Sequence, residues 1–346
     1  MENSIFTCCK SSQKLRFERF HICSWEFRDG TALFEVGGEV DVSKLSETHL
    51  VSFDIVFPWK LKGDSIKDMY QKLSDPDNCR FIFNDSVRKA IYLEEGRGVK
   101  GVVYEFDQRD RLSVLPVSLK INNDGRVVSV EIDLRGHRGV LNGENVNVYF
   151  RLCLDVRGDE ICLKKMGIGK SAVIYDLKIN ERRNLPDPSV YDMMDSDLCQ
   201  ISNCFCFNIV PNDYDIVFLE SSSLKNIRTL EYNSFNKYLG DERIKKDDLL
   251  VVFNKKKNLS SYGFFSIFSK ERIGPAQFVV AVFINLLCGV VLSMPDAFPR
   301  FDLNDIFYMN FWINISYKVY FVVIIALVAL VYLLWPNIKN LKKVFL

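Results

Sequence analysis

Two uninterrupted apolar runs near the C-terminus constrain this chain more than any other feature. Residues 273–295 hold 23 positions without a charged side chain, and residues 319–338 hold 20. At about 1.5 Å per helical residue each run covers a hydrocarbon layer of about 30 Å. Core helices of soluble proteins seldom extend so far without a solvated face, so both runs are expected to be transmembrane helices. Lys255, Lys256, Lys257, Lys270 and Arg272 precede the first run, and Lys339, Lys342 and Lys343 follow the second. The connecting residues 296–318 carry only Arg300 and Lys318. Basic flanks of this kind place both termini of a multi-pass membrane protein in the cytoplasm. Phe307, Tyr308, Trp312 and Tyr317 in the loop, with Tyr332 and Trp335 beyond it, supply the interfacial aromatic belts. Residues 1–17 lack the apolar run and cleavage site of a secretory leader.

The two runs differ in kind. Gln277, Ala281, Asn285, Gly289 and Ser293 recur every four residues along the first. The small members of that stripe let helix backbones approach closely, and an amide near mid-membrane requires a hydrogen-bonding partner or a wetted cavity. The stripe serves either the contact within a helical hairpin or the inner ring of a pore. The second run is almost entirely aliphatic and aromatic, as a lipid-facing helix requires. Two helices enclose no water-filled path, so a conducting function demands a homo-oligomer.

Upstream of the runs, alternating apolar residues between positions 15 and 181 predict a mainly β domain, an antiparallel sandwich or barrel, over residues 1–185. Strands are expected at 15–27, 32–36, 51–57, 101–106, 146–156 and 172–179. A hairpin is expected to join 112–121 to 126–134 through Asn122, Asn123, Asp124 and Gly125. A short helix is expected at 64–73. A proline-bearing, acidic stretch then opens a smaller α+β unit, 186–257, with strands at 205–210, 214–219 and 248–253 and a helix at 224–239. Residues 258–272 form a membrane-proximal collar, and 339–346 a cytoplasmic tail.

Lys and Arg number 45 against 44 Asp and Glu, so any electrostatic site must be local. The chain contains ten cysteines, which a reducing cytoplasm keeps as thiols. Cys199, Cys204 and Cys206 cluster, but His21, His49 and His137 are all remote in sequence, so no metal site is assigned. The segment Gly167-Ile168-Gly169-Lys170-Ser171 has Lys164 where a phosphate loop needs glycine, and strand-like residues follow it. No nucleophile elbow or zinc-protease pair is present, and no catalytic residue or cofactor is assigned. Asp192, Asp195 and Asp197 read as a solvated acidic loop before they read as a divalent-cation site.

The more suggestive group is basic. Arg135, His137 and Arg138, interleaved with Gly136 and Gly139, join Arg151, Lys164, Lys165 and Lys170. Arg offers bidentate donors, Gly exposes amides and Lys adds charge, a set suited to the phosphates of an oligonucleotide or cyclic nucleotide. Charged turns of an ordinary sheet would carry the same residues.

A β-rich cytoplasmic module followed by a two-span hairpin, without catalytic motifs, resembles the two-span membrane effectors of bacterial anti-phage signalling systems. In domain order it looks most like the Hailong effector. That resemblance implies a homo-oligomeric channel controlled by a DNA oligomer that a partner nucleotidyltransferase makes. The expected function is a non-enzymatic effector that senses a nucleotide-type ligand and disrupts the membrane; the alternative is a membrane-tethered protein-binding module without channel activity.

Overall fold

The computed structural model describes residues 4–43, 45, 49–95, 98–122, 125–135, 137, 146–167, 169–185, 196–272, 275–293, 322–325 and 327–328. In chain order the first strands are β1 (Ser4–Lys10), β2 (Arg16–Glu26), β3 (Thr31–Val40), β4 (Leu50–Val56) and β5 (Ile66–Asp68). Helices α1 (Tyr70–Leu73) and α2 (Pro76–Phe83) precede β6 (Val87–Glu95), β7 (Gly98–Phe106), β8 (Leu112–Val114), β9 (Ser118–Asn122), β10 (Val127–Asp133) and β11 (Asn147–Arg157). Next come α3 (Gly158–Ile161), β12 (Leu163–Met166), β13 (Lys170–Ile179), β14 (Ser196–Leu198), β15 (Gln200–Pro211), β16 (Asp215–Leu219) and β17 (Leu224–Thr229). The chain continues through α4 (Tyr232–Leu239), β18 (Leu249–Lys257), β19 (Tyr262–Glu271) and α5 (Pro275–Ser293).

These strands build two mixed sheets. One has nine strands along the path β16-β19-β13-β1-β4-β10-β9, with β12 and β14 attached beside it. The other has ten, along β17-β18-β15-β2-β3-β11-β8-β7-β6, with β5 on β11. A shared core joins them: Ile5, Ile55 and Val128 from the first sheet pack with Phe20, Ile22 and Val36 from the second. The expected mainly β fold is present, but the sheets are not purely antiparallel. β1 runs parallel to β13, β2 to β15 and β8 to β11. Strands after residue 186 enter both sheets, so the expected boundary at 185/186 crosses the sandwich. One compact unit comprises Met1–Lys165 and Ala172–Ser269.

Local expectations fail where a distant partner decides. The helix expected at 224–239 is β17 followed by α4, because residues 224–229 pair with β18, Ile227 opposite Val252. The one expected at 64–73 gives up Ile66–Asp68 to pairing with β11. Residues 262–271, expected in a collar, form β19 and pair with β16. The strand expected at 112–121 is two: β8 pairs with β11 in the ten-stranded sheet, and only β9 forms the expected hairpin with β10, with Asn122 opposite Val127 and Gly125 at φ +84°. Asn123 and Asp124 lie outside the described residues. A side chain at Gly125 would also place its Cβ 2.7 Å from the Leu61 carbonyl oxygen.

The outer face of the ten-stranded sheet carries a second core. Trp25, Cys23, Tyr104, Tyr149, Ile209 and Val251 lie beneath helical residues including Leu73, Phe235 and Tyr238. Trp25 meets the Phe235 ring edge-on at 5.3 Å, and Phe81 meets Phe235 at 4.6 Å. These helices occupy only part of the face.

The second compact unit, residues 166–171 and 270–346, includes α5. Within it Arg272 donates from its amide to the Gly169 carbonyl and from its guanidinium to the Gly167 carbonyl. Helix α5 has 19 residues and no charge. No described side chain between Phe278 and Gly289 is buried; Phe278, Phe283 and Leu286 are each more than 60% exposed. Among the described residues no helix is long and apolar enough to cross a membrane. Residues 294–321, and most of the second apolar run, lie outside them.

Candidate functional site

The structure separates the basic residues singled out by sequence. Arg151 points into the protein, where its Nε and Nη2 donate to Glu35 at 3.1 and 3.0 Å. Glu35 also accepts from Trp25 Nε1 at 2.9 Å and Tyr238 Oη at 2.8 Å. Arg151 is thereby fully engaged in a buried charge pair. Lys164 donates to the buried Glu26 at 2.6 Å. Arg135 is exposed and paired with Asp133, and Lys170 lies 3.8 Å from Glu271. Lys165 is exposed and His137 is buried. Arg138 lies outside the described residues, as do Asp192 and Asp195.

On α5, Asn285 and Gly289 are exposed and Ala281 half-buried. The side chains of Gln277 and Ser293 are outside the described set. Among the described residues no atom lies within 4 Å of a Cβ built on Gly289. Cys204 and Cys206 face the inter-sheet core, and among the described residues no group of His, Cys, Asp and Glu is arranged to hold a metal ion.

A different set converges on the outer face of the ten-stranded sheet, in rows that start at buried Tyr149, Arg151 and Cys23 and end at more exposed residues on β17 and β18. Alternation along each strand sends every second residue outward, and register aligns those residues into rows across strands. One row runs Tyr149, Glu39, Arg19, Asn203 and Lys257. The next runs Arg151, Gly37, His21, Phe205 and Lys255, and a third ends in Cys23, Phe207, Phe253 and Asn226. Phe207 and Phe253 stack with centroids 4.6 Å apart and planes 3° from parallel. Phe205 stacks on Phe253 at 6.0 Å, His21 lies 4.7 Å from Phe205, and Lys255 Nζ sits 4.7 Å above the Phe205 ring.

Glycine at position 37 opens this face. A Cβ there would come 2.7 Å from the Tyr149 hydroxyl, which reaches to 3.3 Å from His21 Nδ1. Burial holds the His21 pKa well below its ordinary value, and the charges of Arg151, Arg19, Arg109 and Lys255 lower it further. His21 is therefore a neutral ring at neutral pH.

Positive charge exceeds negative here. Glu39 is shared by Arg109 at 2.8 Å and Arg19 at 3.5 Å. Among the described residues Lys225, Lys255 and Lys257 make no ion pair. The Lys255 pKa is lowered by burial first, then by Lys257, Arg19 and Lys225. The geometry thus sets half-buried aromatic rings beside unneutralised ammonium groups, suited to an anion that also carries a flat ring.

Sequence reasoning noted Lys255–Lys257 only as flanks of a membrane segment. The outward period-2 pattern Phe253, Lys255, Lys257 was visible, but its partners Phe205 and Arg19 are brought alongside by pairings between distant strands.

No family model matches the chain, and no curated protein matches it. Among solved structures, the zebrafish (Danio rerio) Fcho1 Mu homology domain with bound Eps15 peptide aligns with 75% of this chain and 82% of its own, at 9% identity and a TM-score of 0.17.

Proposed function

We propose that this chain is a non-enzymatic membrane effector: a β-rich cytoplasmic part senses a nucleotide-type ligand and biases a homo-oligomeric C-terminal hairpin between closed and conducting states. The observation that carries the reading is α5, whose described apolar side chains are exposed or half-buried on every side. An uncharged helix whose polar side chains are confined to one narrow stripe has lipid or other apolar helices as its stable surroundings. Its 19 residues rise about 28 Å, and the uncharged run of residues 273–295 extends beyond both its ends. Val323, Ile324, Leu327 and Val328 in the second run are exposed as well.

Asn285 and Gly289 supply the polar and small positions through which copies pack or line a water path. Among the described residues nothing lies within 4 Å of a Cβ built on Gly289, so Gly289→Leu disturbs none of the described packing and its effect on conductance reports on the membrane-embedded part. Ion flux from proteoliposomes tests the proposal. Flux altered by Asn285→Leu and Gly289→Leu is expected; flux indifferent to both overturns it. Function retained after exchange of the hairpin for an unrelated two-span segment would leave a tethered module instead.

A further inference from the structure

We propose that the outer face of the ten-stranded sheet across β2, β15, β18 and β17 binds single-stranded nucleic acid, with bases against Phe207 and Phe253 and phosphates on Arg19, Lys225, Lys255 and Lys257. This names the ligand site of the sensing function above and rests on that reading for its consequence at the membrane. It does not rest on Arg151 or Lys164, both already engaged with buried carboxylates.

Three observations carry the proposal. The first is position: α1, α2 and α4 cover the half of the face that includes Trp25, Ile209 and Val251, whereas His21, Phe207, Phe253 and Lys255 remain half-buried. The second is ring geometry. Phe207 and Phe253 are stacked on each other across adjacent strands, 3° from parallel, and both are half-buried, so a base adds to the solvent side of an existing aromatic stack. Stacking of this type tolerates every base, because each has a π-face. The third is charge. Lys255 and Lys257 alternate along β18, with Arg19 in the same cross-strand row as Lys257. Burial first and then the charges of Lys257, Arg19 and Lys225 lower the Lys255 pKa, and among the described residues no carboxylate pairs with those lysines. A phosphate removes that repulsion.

The patch crosses four strands, about 14 Å at about 4.8 Å per strand. Sheet faces of this width stack about two or three bases in known modules. An anionic membrane fits less well, since Phe205 is only 9% exposed and its ring lies under Lys255 instead of protruding.

The test uses the full chain in detergent and fluorescein-labelled oligothymidylate and oligouridylate, followed by anisotropy over a salt series. Salt-sensitive binding of at least one strand is expected, the two arms separating DNA from RNA. The pair Lys255→Gln and Lys257→Gln should weaken it at least tenfold and reduce the log–log salt slope by about 1.4, at about 0.7 per phosphate contact. Phe253→Leu should weaken binding several-fold and leave the slope unchanged. An unchanged urea midpoint for the lysine pair shows that the fold is intact. Affinity indifferent to the lysine pair overturns the site, as does equal competition by inorganic phosphate, polyglutamate or anionic vesicles. Oligonucleotide binding with ligand-independent flux would keep this site and reject the channel reading. Flux that depends on Asn285 and Gly289, with no oligonucleotide bound, would do the reverse.

Discussion

Arg151 on β11 and Glu35 on β3 form a two-bond ion pair in which the side chains are 8% and 1% exposed. The pair also organises its surroundings, because Trp25 and Tyr238 donate to the same carboxylate and tie α4 to the sheet. Removing one partner strands a buried charge. Arg151→Met should therefore cost about 3–5 kcal/mol in urea unfolding, and adding Glu35→Gln to it should recover part of that loss.

Glu26 gives a pH signature. Burial raises its pKa above the ordinary carboxylate range, opposed by Lys164. A raised folded-state value means that the protonated form favours the fold: its contribution is complete below the unfolded pKa and is lost as pH rises through the folded one. Unfolding measured from acidic to neutral pH should show Glu26→Gln gaining stability relative to the parent as pH increases. A constant difference across that range would refute the assignment.

Among the cysteines, Cys9 stands apart. A hydrogen bond from Cys199 and another from the Leu15 amide hold its pKa down to about 7 despite burial, whereas burial pushes Cys8 up to about 12. With a lowered folded value, the stabilisation is present above the unfolded thiol pKa and declines as pH falls through about 7. Thiolate absorbance of the native protein should show one group titrating near neutrality, absent in Cys9→Ser.

Gly125 lies in the loop between β9 and β10 with a positive φ, and a Cβ there would come 2.7 Å from the Leu61 carbonyl oxygen. Gly125→Ala meets both a backbone penalty and a collision. A loss of about 1 kcal/mol or more is expected in thermal or urea unfolding.

If lipid surrounds α5, a charge at its centre is costly. Leu286→Arg carries an insertion penalty of about 2.5–3.5 kcal/mol, so the variant should shift from the membrane pellet toward the soluble fraction. Equal partitioning of variant and parent would remove the basis for the effector reading.

Periodicity in the sequence reveals strands but not their neighbours. The runs at 146–156 and 172–179 fall on β11 and β13 almost end to end, because alternation of buried and exposed residues is a local property. The parallel pairing of β15 with β2 is not local, and it alone places Phe205 beside His21. Residues 224–229 carry spacing compatible with a helix, and β18 overrides it. The same blindness hid the aromatic and basic face. Arg151 misled for a related reason: a guanidinium poised for phosphate and one balancing a buried Glu35 have identical neighbours along the chain.

The β2–β15 partnership also bears on how the protein is made. Gln200 sits opposite Arg16, so β2 waits for its second neighbour while more than half the polypeptide is synthesised, about ten seconds or longer on a ribosome. Until then an apolar strand edge stays open to other chains. Truncated translation products ending before β15 should be chaperone clients and aggregation-prone, and the sandwich closes only shortly before the hydrophobic C-terminal runs emerge.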